Sequence, residues 1–195
     1  MPRVLLATEG PVDEVVIGAL CVEWLQLDAA DITMKQFPAR GIAQVLRLAP
    51  DIVRAAHFGY YEILLIHADA DATPDHVDGH HEPRCRVCLL QAMIETTLER
   101  VGVRPGSAPL TVVLAIPKQT TDAWLLWGRD NGDGRRVEGI DRHEVKIRVF
   151  EGARFNHQAR AQALVPSLLM RLRAQDVVSP PSLAALNLLL TQIRS

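Results

Sequence analysis

The sequence predicts an α/β fold with an open, mainly parallel four-stranded sheet, helices on both of its faces and a helical appendage at the C-terminus. Short apolar runs alternate along the chain with longer segments of helical periodicity, which is the order of a parallel sheet. The third of these runs is apolar throughout, as in a strand that is buried on both faces. The chain has 195 residues, of which 48% are hydrophobic, enough for one such domain with a real core.

The first predicted strand covers residues 4–8, and a helix follows it directly. Gly10 permits a tight turn from strand to helix, and Pro11 suits the first turn of a helix. Asp13 lies near the N-terminus of this helix, where the helix dipole favours an acidic residue. A wide apolar face then leads to about Leu27, where the helix is expected to end.

A second strand is predicted at residues 31–37 and a second helix at 41–57. A break or kink is expected at Pro50, because proline cannot donate a backbone hydrogen bond. The apolar run at 63–66 is the third strand. The order to this point is β-α-β-α-β, which predicts a parallel sheet with right-handed crossovers.

The remaining elements divide the chain into residues 1–128, an α/β domain, and residues 129–195, a basic loop and helical extension that packs on the same domain. The first helix of the extension has an apolar stripe suited to a core or a dimer face. In chain order the elements are a helix at 84–101, a buried strand at 110–116, a short helix from Ala123, a turn-rich and mobile stretch at 129–139, and helices at 157–174 and 181–194.

Acidic side chains follow the first and third predicted strands. Glu9 ends the first strand, and Asp69 and Asp71 follow the third. Because residues i and i+2 of a strand point to the same face, Asp69 and Asp71 are expected to project together at the carboxyl edge of the sheet, where open α/β sheets bind ligands. Paired carboxylates repel unless a cation or a proton lies between them, and hard oxygen ligands suit Mg²⁺ or Mn²⁺. The alternative is that both aspartates only cap the following loop.

Charge is unevenly distributed along the chain. Residues 1–128 hold 10 Lys and Arg against 16 Asp and Glu, whereas residues 129–195 hold 11 against 7. An acidic part that holds metal and a basic part that binds a polyanion would fit this pattern. The alternative is that the basic residues are ordinary solvated charges among acidic neighbours. The candidates for binding the phosphates of a nucleic acid are Arg135, Arg136, Arg142, Lys146, Arg148 and Arg154.

A second group of potential metal ligands is formed by His80, His81, Cys85 and Cys88. Two cysteines three positions apart near the start of a helix, preceded by imidazoles, could form a tetrahedral structural zinc site. The spacing is not that of a zinc finger. The alternative is a solvated histidine loop in which Cys85 and Cys88 pack as small apolar residues.

The sequence has none of the features of a secreted or membrane protein. Met1 is followed within a few residues by a strand pattern instead of a signal peptide. No apolar run reaches the roughly 18 residues needed to span a bilayer, and three cysteines do not form a disulfide framework. We therefore expect a cytoplasmic protein that does not interact with membranes.

With these features in place, the chain resembles the Toprim fold, a Rossmann-like fold shared by topoisomerases, bacterial primases, recombination-repair proteins and the overcoming-lysogenization-defect nucleases. The marks of that fold are a glutamate that ends the first strand, matched by Glu9, and an Asp-x-Asp that ends the third, matched by Asp69 and Asp71. The sequence Glu-Gly-Pro-Val-Asp at 9–13 is most similar to the nuclease branch.

The segment at 115–126 resembles a group of small bacterial Toprim-like proteins, which usually have Glu-Ala-Trp-Leu-Leu after the fourth strand. Asp122 replaces that glutamate here, and Lys118 precedes it. The resemblance covers residues 3–128 and implies phosphoryl-transfer chemistry. It implies metal ligands at Glu9, Asp13, Asp69 and Asp71, and catalytic roles for Glu9, Lys118 and Asp122.

The resemblance implies a metal-dependent nuclease that hydrolyses the phosphodiester bonds of nucleic acid, DNA being favoured over RNA, with Mg²⁺ or Mn²⁺ as cofactor. It suggests a bacterial defence or mobile-element system, with a homodimer or a partner protein from the same operon. Two alternatives stay open. One is a Toprim-like binding or regulatory subunit without catalysis, because the family's second basic catalytic residue has no assignable counterpart here. The other is a small-molecule phosphotransferase or phosphatase on the same acidic edge.

Overall fold

The structure of the protein is a computed structural model that describes most of the chain. Among the described residues, four strands form one sheet: β1 (Val4–Thr8), β2 (Ile32–Gln36), β3 (Ile63–His67) and β4 (Thr111–Ala115). The helices are α1 (Pro11–Leu25), α2 (Ile42–Phe58), α3 (Arg86–Val101), α4 (Asp122–Asp130), α5 (Gly134–Val137), α6 (Arg142–Phe150), α7 (His157–Leu172) and α8 (Pro181–Arg194). The described residues are 2–36, 42–69, 85–102, 108–118, 120–130, 132–151, 156–174 and 177–194.

The sheet is parallel, with the strand order β2-β1-β3-β4. β1 and β3 lie in its centre, and every residue of both strands is buried, as expected of apolar strands that are covered on both faces. The predicted α/β class with a four-stranded parallel sheet is therefore confirmed. Because parallel strands all end at the same edge, the residues that follow β1, β3 and β4 meet there.

Helices cover both faces of the sheet, and the alternation of side chains along β1 divides the core into two parts. Val4 and Leu6 belong to a cluster that contains buried residues of α1, α4, α6, α7 and α8. Leu5 and Ala7 belong to a second cluster, which contains buried residues of α2 and α3. The pocket described below lies at the edge of the first layer, where the C-terminal helices meet the ends of the strands.

Two details of the helices differ from the sequence prediction. α1 ends about two residues earlier than expected, because Gln26 has the left-handed backbone conformation (φ 54°, ψ 47°) that ends a helix. Pro50 does not break α2, which continues through it. The buried face of α2, which includes Val45 and Ile52, packs in the second core and offsets the roughly 3 kcal/mol cost of an internal proline.

The stretch at 129–139, predicted to be turn-rich, contains helix α5, so that prediction was wrong in part. Asp133 caps this helix by accepting a hydrogen bond of 2.9 Å from the backbone N–H of Arg135. The backbone N–H of Gly134 donates a 3.0 Å hydrogen bond to the carbonyl of Val178. A Cβ atom added at Gly134 would lie 2.3 Å from the neighbouring backbone. This close contact with the segment before α8 organises the stretch, and no local sequence pattern reveals it.

The two C-terminal helices form at the predicted positions. α7 packs against α1 and α4, and α8 packs against α1 and β4. The C-terminal third therefore completes the layer that covers one face of the sheet. Among the described residues, no helix combines the length and the apolar composition needed to cross a bilayer.

Gly128 lies at the contact between α4 and α7, and it generates a test of this packing. A Cβ atom added at Gly128 would lie 2.6 Å from Cα and 2.9 Å from the backbone nitrogen of Leu168. Backbone atoms cannot move aside as a flexible side chain can, so we expect Gly128→Ala to lower the free energy of unfolding by roughly 1–3 kcal/mol, measured by urea denaturation. The control is Gly132→Ala, where the added Cβ meets no atom within 4 Å. Wild-type stability in Gly128→Ala would contradict this packing.

Candidate metal centre

A pocket of about 340 Å³ lies at the carboxyl edge of the sheet. It is formed by the turn between β1 and α1, the residues after β3, the start of α4, and parts of α6 and α7. The pocket therefore joins acidic residues of the sheet edge with residues of the C-terminal helices. Its charged and polar side chains are Glu9, Asp13, Asp69, Thr120, Asp122, Arg142, Lys146 and His157.

The parallel pairing of β1 and β3 brings Glu9 and Asp69 together. The backbone N–H of Asp69 donates a hydrogen bond of 3.2 Å to Oε1 of Glu9. Asp13 lies in the first turn of α1, at the positive end of the helix dipole, which favours a carboxylate. Three acidic residues from two separate segments of the sequence therefore lie in one pocket.

His67, the last residue of β3, is a central residue of this site that the sequence analysis did not identify. Its ring is fully buried. Nδ1 is 3.8 Å from Oδ2 of Asp13, and Nε2 is 3.5 Å from Oδ1 of Asp69. Within the described part of the chain, neither ring nitrogen makes a hydrogen bond, and neither does Oδ1 of Asp69. Buried polar atoms are nearly always paired, so the facing pair of Nε2 and Oδ1 of Asp69 indicates a place for a cation or a proton.

A sequence signal for His67 does exist. The i, i+2 rule that aligns Asp69 with Asp71 also aligns His67 with Asp69, because all three positions share one face of an extended strand. A histidine at the end of an otherwise apolar, buried strand is itself a candidate for a functional role. Asp71 lies outside the described residues, so its expected place beside Asp69 stays a prediction.

The charges around His67 control its protonation. Burial of the ring disfavours its charged form, but the charge of Asp13, the close polar contact with Asp69 together with its charge, and the charge of Glu9 outweigh that effect and raise the pKa of His67 to about 9. In the absence of a bound cation, His67 is therefore protonated at neutral pH and balances the two aspartates. A divalent cation would provide the same compensation, with the imidazole as a neutral ligand.

Each of the two aspartates has one oxygen held by a neighbour and the other directed at His67. Oδ1 of Asp13 accepts a hydrogen bond of 2.5 Å from Oγ1 of Thr121, the residue before α4. Oδ2 of Asp69 accepts a hydrogen bond of 3.2 Å from the guanidinium of Arg142. One ligand atom from each of Asp13, His67 and Asp69 lies within 4.8 Å of the other two, so this group can hold a metal ion.

Asp122 is a fourth carboxyl group at the pocket, and it is buried at the start of α4. The pKa of Asp122 is raised to about 6 in total. Burial is the largest cause, the positive charge of Lys146 opposes it, and the negative charges of Asp13 and Asp69 add to it. A hydrogen bond from Oγ1 of Thr120, at 3.3 Å, favours the charged form. The carboxyl group of Asp122 can therefore gain and lose a proton near neutral pH.

Cations from α6 line the same pocket. Arg142 and Lys146 are four residues apart, so they lie one helical turn apart on the same side of α6, and both border the pocket. Arg148, on the same helix, forms an ion pair with a glutamate one turn earlier and lies outside the pocket lining. Arg135 and Arg136 are exposed on α5 and also lie outside the lining.

The remaining predicted residues lie outside the pocket or outside the described part of the chain. Lys118 is exposed after β4 and does not belong to the pocket lining. Cys85 is buried immediately before α3, and Cys88 is half-buried in its first turn. His80 and His81 lie outside the described residues, as does Arg154. The structural zinc site therefore stays a prediction.

No family model, no curated protein and no solved structure matches the chain. The Toprim assignment therefore rests on the resemblance of the sequence motifs.

Asp122 generates a prediction about the pH dependence of stability. Its pKa of about 6 in the folded protein lies above the ordinary value of 3.8, so the stability that it contributes below pH 4 is lost as the pH rises through 6. At about 1.4 kcal/mol per pKa unit, we expect Asp122→Asn to gain roughly 2–3 kcal/mol in unfolding free energy relative to the wild type between pH 4 and pH 7.5.

This difference can be measured by urea denaturation at both pH values in EDTA. The control is Asp28→Asn, because Asp28 is exposed and its side chain caps no helix. A stability difference between Asp122→Asn and the wild type that does not change with pH would contradict the burial of an ionisable Asp122.

Proposed function

We propose that the protein is a metal-dependent phosphodiesterase that hydrolyses nucleic acid, with the Toprim-like arrangement that its sequence motifs suggest. The observation that carries the proposal is that Asp13 and Asp69, which with the buried His67 form a potential metal-binding group, line one pocket together with two cations of α6, Arg142 and Lys146. A metal group provides the reactive centre of a hydrolase, and adjacent cations suit a phosphate group.

The residues of the pocket can divide the work of phosphodiester hydrolysis among them. A bound Mg²⁺ or Mn²⁺ would supply an activated water and would stabilise charge on the phosphate. Arg142 and Lys146 would bind the non-bridging phosphate oxygens and stabilise the charge that develops on them. Glu9 borders the same pocket and would accept a proton from the attacking water or complete the set of metal ligands.

Asp122 is the candidate general acid for the leaving group of the reaction. With a pKa of about 6, its carboxyl group is protonated in part of the molecules near neutral pH and could donate a proton to the leaving oxygen. The charge of Lys146 lowers that pKa. A phosphate bound to Lys146 would offset this charge, so substrate binding would favour the protonated form of Asp122. Nucleic acid as the substrate, DNA favoured over RNA, and a role in bacterial defence or mobile-element biology come from the sequence resemblance.

A second candidate is a phosphatase or phosphotransferase that acts on a small phosphorylated molecule. The volume of the pocket, about 340 Å³, falls at the lower end of the range of small-ligand sites. The substrate distinguishes the two functions. Mn²⁺-dependent cleavage of oligonucleotides supports the phosphodiesterase, whereas release of phosphate from nucleoside monophosphates without cleavage of oligonucleotides supports the second candidate.

Asp69 is the direct test of the proposed function. We expect Asp69→Asn to lower the rate of Mn²⁺- or Mg²⁺-dependent cleavage of labelled single- and double-stranded oligonucleotides at least roughly 100-fold, because even outer-shell changes around a metal cost 10–100-fold. EDTA should abolish the wild-type activity, and added Mn²⁺ or Mg²⁺ should restore it. Asp28→Asn serves as the control. Wild-type cleavage by Asp69→Asn would refute the site assignment.

The cations of α6 allow a matched comparison on one helix. Lys146 borders the pocket and Arg148 does not, so we expect Lys146→Gln to lower kcat/KM and Arg148→Gln to leave it unchanged. A hydrogen bond to a charged group contributes about 1.5–3 kcal/mol, so the loss at Lys146 should be roughly tenfold or more. Equal loss in both variants, measured with the same substrate at one salt concentration, would indicate a general electrostatic effect and contradict a phosphate contact at Lys146.

A further inference from the structure

We propose that His67 is a ligand of the cation at this site and that the cation is a first-row transition-metal ion instead of Mg²⁺. The proposal rests on the proposed function only in that both concern the same metal group. It goes further because it names the ligand atom type and the chemical class of the ion.

The distances around His67 suit coordination better than direct ion pairing. A charged histidine and an aspartate that pair directly normally form a hydrogen bond with an N···O distance of about 2.7–2.9 Å. The two N···O distances here are 3.8 Å to Asp13 and 3.5 Å to Asp69. Atoms bound to one cation at about 2.0–2.2 Å lie roughly 3–4 Å apart, so each pair by itself has the spacing of two ligands that share an ion. The ion would bind one of the two ring nitrogens, because they point in different directions.

The burial of the ring gives independent support. His67 has no exposed surface, and Nδ1 and Nε2 make no hydrogen bond with the described residues. A histidine that served only the packing of β3 would have at least one ring nitrogen satisfied. Oδ1 of Asp69 is likewise buried and makes no hydrogen bond. Nε2 of His67 and Oδ1 of Asp69 are therefore two buried polar atoms that face each other without a hydrogen bond, while Nδ1 faces Asp13 on the other side of the ring.

The neighbouring contacts orient the ligands in advance. Thr121 holds one oxygen of Asp13, and Arg142 holds one oxygen of Asp69, so each carboxylate presents its other oxygen to His67. Because one ring nitrogen suffices for coordination, the second can donate to the carboxylate beside it. Metal-bound histidines are commonly held in this way, which fixes the tautomer of the ring.

The composition of the ligand set decides the class of ion. Two carboxylates balance the charge of a dication, and the imidazole adds a neutral nitrogen. Mg²⁺ takes oxygen ligands almost exclusively and retains several waters, whereas imidazole suits transition-metal ions. Affinities at mixed nitrogen and oxygen sites rise from Mn²⁺ towards Cu²⁺. A site with His67 as a ligand therefore discriminates against Mg²⁺.

Pulsed electron paramagnetic resonance on the full-length protein with one equivalent of Mn²⁺ tests the ligand directly. We expect ¹⁴N modulation from a coordinated imidazole in the wild type, its replacement by a ¹⁵N signal after labelling with ¹⁵N-histidine, and its loss in His67→Asn. The control is His143→Asn, because His143 is exposed on α6 and lies outside the pocket lining. The isotope labelling requires no substitution, so it identifies a histidine ligand even where His67→Asn does not fold. Coupling that persists in His157→Asn then excludes the histidine that lines the pocket.

Calorimetry measures the discrimination between ions. We expect the ratio of the Mg²⁺ to the Mn²⁺ dissociation constant to fall roughly tenfold or more from the wild type to His67→Asn, since the variant lacks the nitrogen ligand that favours Mn²⁺. Bound Mn²⁺ without nitrogen coupling, nitrogen coupling that survives in His67→Asn and disappears in His157→Asn, or no binding of Mn²⁺ at all would each overturn the proposal.

The outcomes for ligand and function are distinguishable. Nitrogen coupling without any phosphodiester cleavage would support His67 as a ligand and refute the proposed function. Cleavage in Mg²⁺ with no nitrogen coupling to bound Mn²⁺ would support the proposed function and refute His67 as a ligand.

Discussion

The parallel pairing of β1 with β3 is the constraint on which the pocket depends. It aligns the ends of two fully buried strands, so Glu9, His67 and Asp69 meet although almost 60 residues separate the first from the others. The turn into α1 then adds Asp13 to the same edge. Any change that shifted the register of this pair would separate the groups by a strand residue, about 3.3 Å. The chemistry of the site is therefore tied to the most buried part of the sheet.

The electrostatics of the site follow from that burial. Asp69 and Asp122 are almost completely buried, and placing carboxylates near one another in a poorly solvated pocket is unfavourable. The protein compensates with a protonated His67, with Arg142 on Asp69 and with the charge of Lys146 near Asp122. Burial is the main cause of the raised pKa of Asp122, and neighbouring negative charge raises the pKa of His67. A divalent cation would relieve that excess at its centre.

The sequence predicted the sheet and part of the site, because both depend on short local patterns. Apolar runs placed the strands, and the residues after them placed Glu9 and Asp69 at one edge. His67 was missed because the predicted apolar run ended at Ile66 and attention went to the carboxylates after it, although the i, i+2 rule applied to His67 as well. The contacts of Thr121 with Asp13 and of Arg142 with Asp69 span 108 and 73 residues. They result from the packing of α4 and α6, which no local pattern specifies.

The most direct measurement is a crystal structure of the protein with Mn²⁺, recorded with anomalous scattering from the metal. We predict an anomalous peak beside His67, with one ring nitrogen at about 2.1–2.2 Å from the ion, a carboxylate oxygen from the aspartate that faces this nitrogen, and the other aspartate accepting a hydrogen bond from the second ring nitrogen. The contradictory result is a crystal with Mn²⁺ bound elsewhere or not at all, in which the ring of His67 makes direct hydrogen bonds with the two aspartates.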